Sequence, residues 1–344
     1  MKIINELDPK SKFSNPAVKH CDVSFETLTT DPDIRKCTFF SRSQFDKYQT
    51  PSQIIFKHKG HDLKKHMKNN AFKPSDVSKF INILEGVNTL IKHKQIHFDI
   101  KLENILITND NDYKIILIDF GTMTKFDNIY VNTEKSNERD IDELYDNLEE
   151  QNTRDIDWFL NDYPTYPPEF KIYAKLMKSL KTRETTDWVS IHNISINSDQ
   201  FTALQAIDNN KTYAIELQAF KNRIESEFKS KTFNVENVNK LFGLHFIDRI
   251  DIFSIGMTLL FFFNNNNTFD PTEKIRFLNI LKKTINFNPF QRCDINTLIS
   301  DMKSFEKEFV SKNYRHNGKS ISPPPKEPKE PKEPKEPKVY NHKL

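Results

Sequence analysis

"QIHFDIKLENILI" (residues 95–107) sets His97, Asp99, Lys101 and Asn104 between Ile96 and the run Ile105–Leu106–Ile107. A helix facing water would space its apolar residues three and four apart, and a half-buried strand would alternate them. Neither pattern fits. The stretch reads as a short apolar anchor, a polar loop and then a strand entering a core. Just upstream, "SDVSKFINILEGVNTLIKHK" (75–94) carries apolar residues at 77, 80, 81, 84, 87, 90 and 91. That spacing predicts a helix, with Ser75 and Asp76 suited to its start and His93 and Lys94 to its end. Downstream, two β-rich runs, 104–108 and 114–118, flank the turn residues "NDND" (109–112), which predicts a hairpin.

The hairpin brings Asp119 back beside Asn104. Asp99, Asn104 and Asp119 then form a constellation with a chemical logic. One carboxylate can orient a hydroxyl, while an amide oxygen and a second carboxylate hold Mg²⁺ on a nucleotide. Lys101 can neutralise charge on a transferring phosphoryl group. Taken singly each residue is ordinary, since a lone loop aspartate is usually a turn residue. The joint pattern H-x-D-x-K-x-x-N followed by D-F-G at 119–121 is not.

Composition narrows the remaining classes. The chain has 344 residues, enough for one large domain or two modest ones, and a formal charge of +3 that makes no electrostatic case for nucleic acid. Cys21, Cys37 and Cys293 are far apart and odd in number, which suits a reducing compartment. The longest apolar run, "IFSIGMTLLFFF" (252–263), falls short of the ~20 residues of a bilayer span and reads as a buried core helix. The expectation is an intracellular, cytoplasmic location without membrane or nucleic-acid partners. Further helical patterns lie at 170–181, at about 212–229 and over about 272–310. The segment 131–162 is acidic, and "SPPPKEPKEPKEPKEPK" (322–338) cannot build a core.

"HFDIKLEN" (97–104) and "DFG" (119–121) resemble the catalytic loop and metal-binding motif of eukaryotic-type protein kinases. The similarity runs from about residue 53 to 300. It implies an α+β, bilobal fold with a reduced N-terminal lobe and hinge strand (1–60) and a mainly helical C-terminal lobe (61–312). That lobe would carry an acidic activation-segment insertion (122–163) and a helical insertion (171–249), and residues 313–344 would form a disordered tail. The resemblance implies ATP and Mg²⁺ as cofactors and a protein serine or threonine hydroxyl as acceptor. Asp99 would be the catalytic base and Lys101 its partner at the phosphoryl group, that lysine being typical of the serine/threonine class. Asn104 and Asp119 would hold the metal. "IIFKHKGHDL" (54–63) resembles the strand and hinge that hold adenine, which puts Lys57 and Asp62 among the nucleotide contacts, with Asp62 reaching the ribose.

Other landmarks follow from the same resemblance. Glu169 in "PPEF" (167–170) would close the activation segment and pair with a buried Arg292 from "NPFQR" (288–292). Asp251 in "DIFSIG" (251–256) would hold the catalytic loop by its backbone, and His97 would pack under Phe120 without doing chemistry.

The departures are as informative. Phe98 stands where an arginine is usual, so a phosphorylated activation loop would lack its docking cation. The interval from Glu169 to Asp251 is far longer than usual, and these insertions resemble those of kinases encoded by large cytoplasmic DNA viruses, which would place the protein in host cytoplasm or virion. None of the six glycines precedes Gly60, so the loop that brings backbone close to nucleotide phosphates is missing from residues 1–59. Lys19 in "PAVKH" is the nearest match to the phosphate-binding lysine. Its candidate partner Glu26 is too close in sequence for the usual strand-to-helix pair, and surface charge is the simpler reading of both. Two other functions stay open: a pseudokinase scaffold binding through its insertions and tail, and a small-molecule kinase of the aminoglycoside type. The latter generally lacks the lysine after the catalytic aspartate. The proline-rich tail reads as a spacer, or as a polyproline II ligand for a partner domain with an aromatic groove.

Overall fold

The computed structural model describes residues 2–15, 17–22, 52–56, 60–108, 113–126, 163–182, 188–207, 211–230 and 233–310. The acidic segment, the proline-rich tail, Glu26, Lys57 and the "NDND" turn lie outside the described residues. Helix α1 (Lys2–Leu7) is followed by β1 (Ala17–Asp22), β2 (Ser52–Phe56) and β3 (Gly60–Asp62). Then come α2 (Leu63–Asn69), α3 (Pro74–Lys92), β4 (Gln95–Ile96), β5 (Ile105–Thr108), β6 (Ile115–Leu117) and β7 (Thr124–Lys125). The rest is helical: α4 (Glu169–Thr182), α5 (Trp188–His192), α6 (Ser198–Leu204), α7 (Thr212–Ser230), α8 (Val235–His245), α9 (Ile250–Asn265), α10 (Pro271–Thr284) and α11 (Ile295–Phe305). A mainly helical body carrying small sheets is compatible with the kinase-like architecture that the sequence resemblance implies.

Helix α3 forms where the apolar spacing puts it. Pro74 occupies its first turn, and the Asp76 carboxylate accepts the Lys73 N–H at 2.9 Å to close the end. Val77, Phe80, Ile81, Leu84, Val87 and Leu90 line its buried face. Helix α9 is apolar nearly all round and is buried along almost its whole length, as such a helix must be. Aromatic rings fill the space beside it: Phe72 stacks on Phe262 at 4.3 Å, and Phe277 meets Phe72, Phe269 and Phe305. Among the described residues no helix is long and apolar enough to cross a membrane.

Among the described residues the strands divide among three small sheets. β1 and β2 pair antiparallel, with His20 opposite Ile54. β5 and β6 form the expected hairpin, joined at its other edge by β3. The run 53–63 is therefore two strands in two different sheets. Gly60 sits at the division because a Cβ there would lie 1.8 Å from the Ile107 carbonyl oxygen. Only glycine allows β3 to approach β5 so closely.

Residues 2–15 pack on α3 and β6. The Asp8 carboxylate gathers the N–H groups of Lys12, Phe13 and Ser14 and the Ser14 hydroxyl, curling the chain into a tight loop. Leu117 N–H then donates to the Phe13 carbonyl at 2.7 Å, and Ser14 bridges to Leu117 in parallel. The Phe13 ring fills the space that Gly86 leaves on α3, where a Cβ would meet it at 2.4 Å.

Helices α4 to α8 occupy the described part of 171–249, more than the two patterns visible in the sequence. Glu169, at the start of α4, is locked to Arg292 by two bonds of 2.5 and 3.1 Å. Both side chains are excluded from water. Arg292 also donates to the carbonyls of Asn286 and Arg249 and lies 4.7 Å over the Phe253 ring. Removing one member would leave the other charge buried and unpaired. Arg292→Ala is expected to cost ~3–5 kcal/mol in urea unfolding, and Glu169→Leu combined with Arg292→Met to recover most of that loss.

Candidate active site

Helix α3 delivers the chain through a left-handed Lys94 (φ 55°) into β4, which pairs with β7. At Phe98 the backbone turns left-handed again (φ 71°), an uncommon conformation for a bulky residue. Asp251 holds it there. Its Oδ2 accepts the His97 N–H at 2.8 Å and its Oδ1 accepts the Phe98 N–H at 3.0 Å. Burial pushes this carboxyl up to about 6, against the pull of the two N–H donors.

His97 is buried and works as a strut. The Asp99 N–H can only donate, so Nδ1 accepts it (3.3 Å), and the ring proton resides on Nε2, which donates to the Ile118 carbonyl at 3.1 Å. One neutral tautomer thereby joins the loop to the strand end before Asp119. Burial depresses its pKa to about 4. The imidazole lies 4.8 Å from the Phe120 ring, the packing expected from the sequence, and Thr122 Oγ1 donates to the His97 carbonyl at 2.8 Å.

Asp99, Lys101 and Asn104 converge. Lys101 Nζ lies 2.9 Å from Asp99 Oδ2. Asn104 Nδ2 donates to that same oxygen at 2.9 Å and to the Asp99 carbonyl at 2.8 Å. Two donors thus occupy Oδ2, and Oδ1 is left for another partner. The amide is oriented too: with Nδ2 committed to Asp99, Asn104 Oδ1 is the acceptor that remains. Burial pulls the Lys101 ammonium toward deprotonation, but its hydrogen bonds to Asp99 and Tyr163 outweigh this and raise its pKa overall.

The Asn104 carbonyl receives the Ile118 N–H at 2.9 Å, which fixes the hairpin's return to Asp119. Asp119 is left-handed (φ 59°) and exposed, and its Oδ1 accepts the Gly121 N–H at 3.3 Å. Among the described residues it has no ion-pair partner. An exposed carboxylate and an oriented amide oxygen are hard donors, and they fit a Mg²⁺ ion that keeps most of its remaining ligands as water and phosphate.

Asp62 is placed differently from a free ligand. It caps α2, accepting the Lys65 N–H at 2.8 Å with Lys65 Nζ at 3.4 Å. Slight burial raises its pKa, but these bonds win and the net shift is downward. Lys64 pairs with Glu103 at 2.7 Å, tying α2 to the loop. Lys19 lies in β1 opposite Ile55.

Two features escaped sequence reasoning. Phe98 is buried and stacks on Phe170 at 5.0 Å and 11°, so an apolar contact joins the loop to the start of α4. Tyr163 stands over Lys101, its ring centroid 5.1 Å from Nζ. The aromatic density of "YPTYPPEF" (163–170) was a signal for both, but spacing alone does not say which rings meet which partners.

His97 and Asp251 give opposite pH dependences, each corresponding to ~3 kcal/mol. His97 is neutral when folded, so its stabilising share is complete above pH 6.5 and lost as pH falls towards about 4. Asp251 protonates more readily folded than unfolded, so stability gains as pH falls from about 6 towards 3.8. In urea unfolding at pH 7 and pH 4, His97→Phe should gain ~3 kcal/mol on the parent at the acid pH, and Asp251→Asn should lose about as much.

Comparison with known proteins finds similar sequences for this segment. Residues 45–139 match the protein kinase domain. The chain is 40% identical over 76 residues to "Cell division control protein 2 homolog 3" of Trypanosoma brucei brucei, a match covering 21% of this chain and 24% of that protein. The segment that carries the loop, the hairpin and Asp119 is thus similar to eukaryotic-type protein kinases, and the match spans about a quarter of that relative's length.

Proposed function

We propose that the chain is an ATP- and Mg²⁺-dependent protein kinase that phosphorylates serine or threonine hydroxyls. The observation that carries this reading is the Asp99 carboxylate, with one oxygen fixed by Lys101 and Asn104 and the other unspent. Asp99 Oδ1 orients the acceptor hydroxyl and takes its proton as the oxygen attacks the γ-phosphorus, and the bond to the ADP oxygen breaks. Lys101 sits where charge develops on the transferring group. Asn104 Oδ1 and the Asp119 carboxylate would hold Mg²⁺, which supplies neutralisation of the nucleotide phosphates. Asp62 would have to exchange its Lys65 contacts for the ribose hydroxyls, Lys57 is a candidate nucleotide contact outside the described residues, and Lys19 is the candidate for the phosphate-binding lysine.

The acceptor's hydroxyl class rests on Lys101, a feature of the serine/threonine branch. The scaffold reading differs in one measurable respect: it requires no transfer.

The test is phosphate transfer from labelled ATP with Mg²⁺ to basic and acidic protein acceptors. Asp99→Asn and Asp119→Ala are each expected to lose about 10²-fold or more of the wild-type rate. Labelling confined to serine and threonine supports the acceptor class. No transfer by folded wild-type protein would overturn the reading in favour of the scaffold.

A further inference from the structure

The Lys101 ammonium has two neighbours that restrict it. Asp99 Oδ2 lies on one side at 2.9 Å, and the Tyr163 ring covers another with its centroid at 5.1 Å. A cation over a tyrosine face is attracted by the ring quadrupole, more strongly where water is partly excluded. Here the lysine side chain is only 22% exposed.

Tyr163 is itself anchored through a continuous series of contacts. Its carbonyl accepts the Tyr166 N–H at 3.0 Å, and the two rings lie 5.2 Å apart. Tyr166 packs edge-on to Phe170 at 5.6 Å and to Phe98 at 6.4 Å. Phe170 follows Glu169, which Arg292 fixes. Phe98 precedes Asp99 and is held by Asp251. Two routes from the core therefore meet at one ammonium, through the loop to Asp99 and through the aromatic series to Tyr163.

We propose that Tyr163 is a positioning residue for phosphoryl transfer, setting the place of the Lys101 ammonium beside Asp99 by covering it with its ring. This rests on the kinase reading of Asp99 and Lys101 and adds a residue to it. Without Tyr163 the flexible lysine stem has one tether instead of two, and the ammonium samples positions away from the transferring group. The loss falls on the chemical step, since Tyr163 is placed against the lysine rather than against Asp62, Asn104 or Asp119.

Two measurements on full-length Tyr163→Phe and Tyr163→Leu proteins test this. The first is steady-state transfer. Tyr163→Leu is expected to lower kcat by about 10-fold to 100-fold while the KM for ATP stays within about twofold, and Tyr163→Phe, which keeps the ring, to lose far less. The second needs no activity: the rate of Lys101 acylation by an amine-reactive ester, followed by peptide mass spectrometry from pH 7 to 10, with exposed Lys282 as the internal control. Lys101 should react several-fold faster in Tyr163→Leu at every pH, with Lys282 unchanged. An unaltered Lys101 profile overturns the proposal, and so does an unaltered kcat in an active enzyme. If the wild type transfers nothing yet the acylation rate shifts as expected, the placement of Lys101 by Tyr163 stands and the phosphoryl-transfer reading is what fails.

Discussion

A single carboxylate reaches out of a buried helix to hold the loop that carries Asp99. Asp251 spends both oxygens on consecutive backbone N–H groups, those of His97 and Phe98. A left-handed phenylalanine persists only where its surroundings over-determine it, and those two bonds do so. With Phe98 fixed, Asp99 must point where it does, Lys101 and Asn104 find the same oxygen, and the hairpin returns Asp119 to the mouth of the site. The helix behind Asp251 is rigid because apolar residues surround it on every side. Precision at the site is thus inherited from hydrophobic burial through two hydrogen bonds.

His97 and Asp251 show how a polar pair of this kind lives inside a core. Each bears a buried titratable group whose charged form is disfavoured, and each is kept in place by hydrogen bonds to backbone. The imidazole stays neutral, so one nitrogen accepts and the other donates, which is what a strut between two backbone groups requires. A phenylalanine or leucine in its place could fill the volume but could not join Asp99 to Ile118.

The sequence made the local elements legible. The helix at 74–92, the hairpin and the buried helix at 250–265 each declare themselves through periodicity within a short window. The Glu169–Arg292 pair and the Asp251 grip were legible only through resemblance, because no local pattern ties residues so far apart. What stayed hidden was decided by three-dimensional fit. Gly60 announced a break, but its reason is the Ile107 carbonyl pressed against it. Phe98 announced a missing cation, but the stack on Phe170 that occupies its place is visible only in the fold. Tyr163 carried no spacing signal towards Lys101. The phosphate-binding lysine could not be fixed from sequence, since the glycines that normally mark its neighbourhood are absent there.

The docked segment at residues 2–15 has a consequence for how the chain reaches its native state. Its partners include Asn82, Gly86 and Leu117. Its receptor is built from α3 and the β5–β6 hairpin together, so the segment can dock only where both have formed, and docking closes a long loop of chain. A seated Phe13 therefore reports that the hairpin carrying Asp119 is in place.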